Sequence, residues 1–180
     1  MNANGSQKRP LLTSIEAEWP AWSPDGRKIA FVSMDNDPSL SGIYLINADG
    51  SGLERLTRTA GQYGPVVWSP DSKQILYGYA TFVSAGAGQS VSQSAVYVMN
   101  ADGSHLVQLT KNATAVDSSE PSSWSPDGTK ILFTRSERSG EHLRDIERTI
   151  WIMNADGSGQ TQINLPAQIE GDAVFQPSSP

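Results

Sequence analysis

The chain has no cysteine and only two histidines, His105 and His142, among its 180 residues. Disulfides and thiolate metal sites are thereby excluded. Two scattered histidines cannot build a histidine-rich metal cluster unless an assembly doubles them. Basic residues are also scarce, 13 Lys and Arg against 19 Asp and Glu, for a net charge of −6. No Lys or Arg run is interleaved with aromatics, so the basic footprint that nucleic-acid phosphates require is missing. No apolar stretch approaches the roughly 18 residues of a membrane-spanning helix, and the first residues hold no apolar core of a secretory signal. There is no Gly-x-Ser-x-Gly elbow, and neither histidine sits in a segment suited to a nucleophile's base.

What the chain does have is repetition. Trp22-Ser23-Pro24-Asp25-Gly26 returns as Trp68-Ser69-Pro70-Asp71-Ser72 and as Trp124-Ser125-Pro126-Asp127-Gly128. Each is followed by a second phrase, Asn47-Ala48-Asp49-Gly50-Ser51, then the same five residues from Asn100 and from Asn154. The tryptophans are 46 and 56 residues apart and the asparagines 53 and 54. Periods near 40 to 50 with several short strands per repeat describe propeller blades, each of which must stack on its neighbours to bury its faces.

The strands within a repeat are legible. Residues 28–32, 74–77 and 130–133 are short β-prone runs, as are 43–46, 96–99 and 150–153. They are apolar on both alternating faces, as in a sheet sandwiched between two others. Ser-Pro-Asp-Gly reads as a tight turn out of an innermost strand ending at the Trp, and each Asp-Gly as a hairpin turn into an outermost strand. The outermost strands are expected at 53–57, 105–110 and, more weakly, 160–164. The segments 78–94 and 136–149 read as inserted loops between middle strands, the first small and polar, the second of mixed charge.

These paired phrases, closed by Leu56-Thr57 and Leu109-Thr110, resemble the TolB-type β-propeller repeat over nearly the whole chain. The resemblance implies an all-β propeller of four-stranded antiparallel blades. Three repeats are complete, 14–57, 58–110 and 111–164, flanked by partial repeats at 1–13 and 165–180. Three blades do not close a ring, since propellers carry about four to eight. The expectation is a homodimer closing six blades, with the N-terminal piece from Gln7 to Thr13 supplying an outer strand to the partner's last blade. A piece of a longer propeller is the other organisation left open. Family members include exported proteins, so the resemblance points to a periplasmic or extracellular setting.

Candidate binding residues cluster at the starts of the innermost strands: Glu16, Glu18, Asp117, Glu120, Glu170 and Asp172, together with Trp19 and Tyr63 as stacking surfaces. In a ring these would surround one mouth of the channel. Clustered carboxylates there would suit a basic group or a cation such as Ca²⁺, or serve only to tie down the strands. The recurrent turn aspartates read as structural. No catalytic residue is identified. The resemblance implies a non-catalytic scaffold that receives a protein or peptide segment at that mouth. A carbohydrate-binding or lyase-like propeller, and a half-propeller without an evolved ligand, are the alternatives.

Overall fold

Short-range hydrogen bonds set the turns. The Ser23 hydroxyl donates to Asp25 Oδ1 at 2.6 Å and accepts the Lys28 amide at 2.9 Å, while the Arg27 amide donates to the same carboxylate oxygen at 3.0 Å. Ser69, Asp71 and Gln74 repeat the pattern, as do Ser125, Asp127 and Lys130. The Asp-Gly phrases turn differently: the Gly50 amide donates to the Asn47 carbonyl at 2.9 Å, and Ser51 donates to Asp49 through both its amide and its hydroxyl. The φ of +93° at Gly50 is a conformation that side chains disfavour. The Ala48 amide donates to the Arg27 carbonyl at 2.9 Å, so the two turns of a repeat are bonded to each other.

The computed structural model describes residues 6, 10–12, 15–35, 37, 40–59, 61–86, 89–111, 117–138 and 146–164, which form twelve strands and no helix. The first sheet holds β1 (Glu18–Trp22), β2 (Lys28–Ser33), β3 (Gly42–Asn47) and β4 (Glu54–Arg55) in that order. The second holds β5 (Gln62–Trp68), β6 (Gln74–Gly86), β7 (Gln89–Asn100) and β8 (Val107–Gln108). The third holds β9 (Ser118–Trp124), β10 (Lys130–Arg138), β11 (Ile146–Asn154) and β12 (Thr161–Ile163). All neighbours are antiparallel, as expected for propeller blades.

Three expectations need correction. The segment 78–94 is not a loop: β6 and β7 pair from Gln74↔Asn100 out to Gly86↔Gln89. Small polar residues hid this extension because a ladder beyond the core needs no apolar alternation. Likewise Ser136, Glu137 and Arg138 pair with Arg148, Glu147 and Ile146. The outermost strands of the first two sheets are only two residues long, and the third, expected to be weakest, is three. In the first two sheets a threonine extends the lock beyond the short strand. The Ile43 amide donates to Thr57 Oγ1 and the Val96 amide to Thr110 Oγ1, each at 2.9 Å.

The sheets stack through a repeated set of contacts. Ala30, Val32, Ile43 and Leu45 of the first sheet meet Val66, Trp68, Ile75, Tyr77 and Met99 of the second. Leu76, Val96 and Val98 of the second meet Trp124, Ile131, Phe133 and Met153 of the third. The Trp68 indole N–H donates to the Ala21 carbonyl at 3.1 Å across the first joint. Trp68 and Trp124 are consequently 7% and 6% exposed, whereas Trp22, with no sheet before it among the described residues, is 59% exposed.

Three substitutions test this account by equilibrium unfolding. Gly26→Ala, at φ +71° with open space around it, should cost about 1 kcal/mol. Gly157→Ala, at φ +84° with a Cβ 3.1 Å from the Leu109 carbonyl, should cost roughly twice that or more because the joint must also shift. Thr110→Val removes the acceptor of a buried amide and should cost about 1–3 kcal/mol; an unchanged midpoint would show that the Thr lock contributes nothing.

Candidate functional site at one end of the sheets

The ladder register divides each sheet into two ends. Glu18 lies opposite Val32, Val32 opposite Ile43, and the Leu56 amide donates to the Ile43 carbonyl at 2.8 Å. One row across the sheet thus joins the start of β1, the turn from β2 to β3 and the exit of β4. In the other sheets, Tyr63 lies opposite Tyr79 and Tyr79 opposite Ala95, and Ser119 lies opposite Arg135 and Arg135 opposite Thr149. The long hairpins and the starts of the innermost strands therefore share one end, and the Asp turns occupy the other.

Each innermost strand is kinked near this end. Its pairing is interrupted by a bulge between Glu18 and Ala21, between Tyr63 and Val66, and opposite Leu132 and Phe133. Pro20 and Pro65 fall within the first two bulges, where a missing N–H costs no ladder bond, and Pro121 borders the third, opposite Phe133. Trp19 stands in the first bulge at φ +48°, unusual for a bulky residue, and is 41% exposed.

The expected site residues fare unequally. Glu16, Glu18 and Glu120 are exposed at this end, the first two close in sequence to the exposed Trp19. Tyr63 is not a stacking surface: it is 3% exposed, its hydroxyl donates to the Thr59 carbonyl at 2.7 Å, and its ring packs on Tyr79 with centroids 5.0 Å apart. Asp117 is buried as well, at 5% exposure, which removes its carboxylate from a solvent-facing ring. Glu170 and Asp172 lie outside the described residues, as does His142. Among the described residues no three His, Asp or Glu side chains come together as a metal-binding group. His105, at φ +53°, lies at the opposite end, its Nδ1 3.0 Å from Asn100 Nδ2.

The sequence reading missed a cleft on the second sheet. It has a volume of about 290 Å³ and is lined by Tyr79, Thr81, Gln93, Tyr97, Gln108 and Lys111. Its floor belongs to a cluster in which Tyr77 stacks on Tyr97 at 5.7 Å and Tyr79 meets Tyr97 edge-on at 5.8 Å. Burial raises the Tyr77, Tyr79 and Tyr97 hydroxyl pKa values, so all three remain protonated at neutral pH. The available signal was the spacing of two between Tyr77 and Tyr79, which puts both rings on one face of β6.

No protein-family model matches the chain. It is 39% identical over 75 residues to the Tol-Pal system protein TolB of Alcanivorax borkumensis, covering 41% of this chain and 17% of that protein. In structure it is similar to a putative TolB from Agrobacterium tumefaciens, with a TM-score of 0.62 and 25% identity over 84% of this chain and 50% of that one. The chain is thus a homologue of TolB propellers by sequence and shares their fold. It is also 30% identical over 134 residues, 72% of its length, to 19% of an uncharacterised peptidase, YuxL, of Bacillus subtilis. The chain thus spans less than a fifth of either curated relative.

In this TolB-like chain the conspicuous aspartates serve the turns. Hydrogen bonds from the Ser125 hydroxyl, then from the Thr129 amide and hydroxyl, lower the Asp127 pKa to about 2. Asp25, Asp71, Asp102 and Asp156 are likewise lowered, each first by the hydroxyl of its turn serine. A carboxylate whose folded pKa is depressed stabilises the fold above the ordinary value of 3.8, and that contribution is lost as pH falls through the folded value. Thermal melting midpoints should therefore be flat above about pH 5 and fall steeply between about pH 4 and 2. Asp127→Asn should lower the plateau and shallow the fall; an equally steep fall in the variant would assign acid lability elsewhere.

Proposed function

We propose that this chain is a non-catalytic binding scaffold whose hairpin-bearing end receives a protein or peptide segment, within a six-bladed ring closed by two copies. The observation that carries the reading is the exposed Trp19 in its bulge, bordered by Glu16 and Glu18. An aromatic anchor beside carboxylates suits a segment carrying basic groups. A second copy would double these groups around the ring, and Glu120 would add to them. The position of His105 at the opposite end favours binding over catalysis. The domain organisation follows the repeats, with one blade each at 14–57, 58–110 and 111–164.

The cleft at Tyr79 and Tyr97 favours a second reading, a carbohydrate-binding propeller. Aromatic rings beside Gln93, Gln108 and Lys111 suit a hydroxylated ligand.

Screening the purified chain against arrayed peptides and glycans separates the two. The first reading predicts capture of basic peptides, weakened roughly thirtyfold, or about 2 kcal/mol, by Trp19→Ala and weakened further by salt. Capture of glycans alone, lost in Tyr97→Ala and indifferent to Trp19→Ala, would replace it with the second.

A further inference from the structure

The two joints inside the chain share a detail that the free face of the first sheet repeats with a different partner. A Cβ added at Gly103 would lie 3.3 Å from the Leu56 carbonyl, and one at Gly157 would lie 3.1 Å from the Leu109 carbonyl. The Asp-Gly turn of each blade thus sits on the outermost strand of the blade before it. Gly50 has no blade before it in the chain, yet its added Cβ would lie 3.5 Å from Leu11 Cδ2 and 3.8 Å from the Leu11 carbonyl. Leu11 stands nine residues after Asn2, as Leu56 does after Asn47 and Leu109 after Asn100. Leu12 and Ile15 pack against the cluster of Ile29, Phe31, Tyr44 and Ile46. The segment around Leu11 therefore occupies the place of an outermost strand belonging to a preceding blade.

Pro10 fits that place. In the first sheet the Leu56 amide donates to the Ile43 carbonyl, so in an antiparallel ladder the amide of Arg55, opposite Tyr44, points away from β3. Pro10 stands where Arg55 does in the repeat, and the N–H it lacks is one that no neighbouring strand uses.

The other side of the missing joint is also present in the chain. Leu132, Ile150 and Ile152 occupy the positions at which Ala30, Ile43 and Leu45 of the first sheet, and Leu76, Val96 and Val98 of the second, face the next blade. Ile150 and Ile152 are partly exposed, whereas their four counterparts are buried. The two end faces are thus the two halves of the joint that the chain already makes twice, and a second copy fits both. A conflict follows, because Ile163 stands nine residues after Asn154 and pairs opposite Ile150. In a two-copy ring, Leu11 of one chain and Ile163 of the partner subunit claim one place.

We infer that this joint closes by strand exchange: residues 10–12 of each copy become the outermost strand of the partner's third blade, and β12 gives way. The inference rests on the two-copy ring. β12 is the weaker claimant because Asn164 replaces the threonine that accepts the Ile43 and Val96 amides in the other sheets, and among the described residues no such lock reaches the Ile150 amide. Ile163 is half-buried and Asn164 exposed, whereas Leu12 is half-buried and Leu11, still exposed in the single chain, already lies against Gly50.

The absence of native cysteine makes the test direct. In the full chain, the pair Leu11→Cys and Ile150→Cys places two thiols opposite each other only if strands are exchanged, at a separation compatible with a disulfide. Mild oxidation should give a reducible covalent species at twice 19.3 kDa, absent from either single variant. If the uncrosslinked protein is dimeric by light scattering but this pair does not link, while Ile163→Cys with Ile150→Cys links within one chain, β12 holds its place and the exchange is overturned. A monomer of the unaltered chain overturns the ring and the exchange together. Since cysteines can disturb packing, substitutions in the otherwise unaltered chain give a second readout. Leu11→Asp should raise the dimer dissociation constant at least tenfold by burying a charge at the joint, and Ile163→Asp should change it less than about threefold. The reverse ranking contradicts the exchange.

Discussion

The stacking of each blade's tryptophan-bearing face on the sheet before it is the interaction on which the rest depends. The stacked parts of both faces of a sheet such as β5–β8 are apolar, so the sheet depends on its neighbours for burial. Trp68 and Trp124 fill the joints, and the glycines of the Asp-Gly turns let the outer parts of adjacent sheets approach. Trp22 shows what the same residue experiences when the preceding sheet is missing. Its exposure is a consequence of the repeat, since the position is apolar in all three copies regardless of what covers it.

That arrangement puts the turn chemistry at one end of each sheet and the elements that differ between blades at the other. The end bearing the Ser-Pro-Asp and Asp-Gly phrases is occupied by short, charge-assisted hydrogen bonds that fix the turns. The opposite end carries what varies between blades: the long β6–β7 hairpin, the bulge with Trp19, and the cleft floored by Tyr79 and Tyr97. Variation there leaves the joints intact, because the hairpins extend past the stacked core. A family that shares the turn chemistry can therefore differ freely in what it binds.

Most of the fold was legible because local chemistry and tertiary role coincide in the repeats. Trp-Ser-Pro-Asp marks a strand end and a turn in four residues, and the structure places both there, with the next strand starting six residues after each Trp. The hairpin at 78–94 was illegible because strands beyond the core keep pairing without an apolar pattern to announce them. Tyr63 and Asp117 were misjudged for a different reason. Position along the chain located them at the correct end of the sheet, but burial depends on neighbours such as Tyr79 that come from another strand. The bulges at Pro20 and Pro65 and beside Pro121 were within reach, since proline in an innermost strand must fall where no amide is needed.

Small-angle X-ray scattering on the unaltered chain, at concentrations where its mass is constant, tests the central claim that the two end faces stack on each other. Two compact copies of 180 residues should give twice the chain mass and a radius of gyration of about 21 Å, against about 16 Å for one copy. A single-chain mass, or a radius that grows with concentration as in an open head-to-tail array, would contradict it.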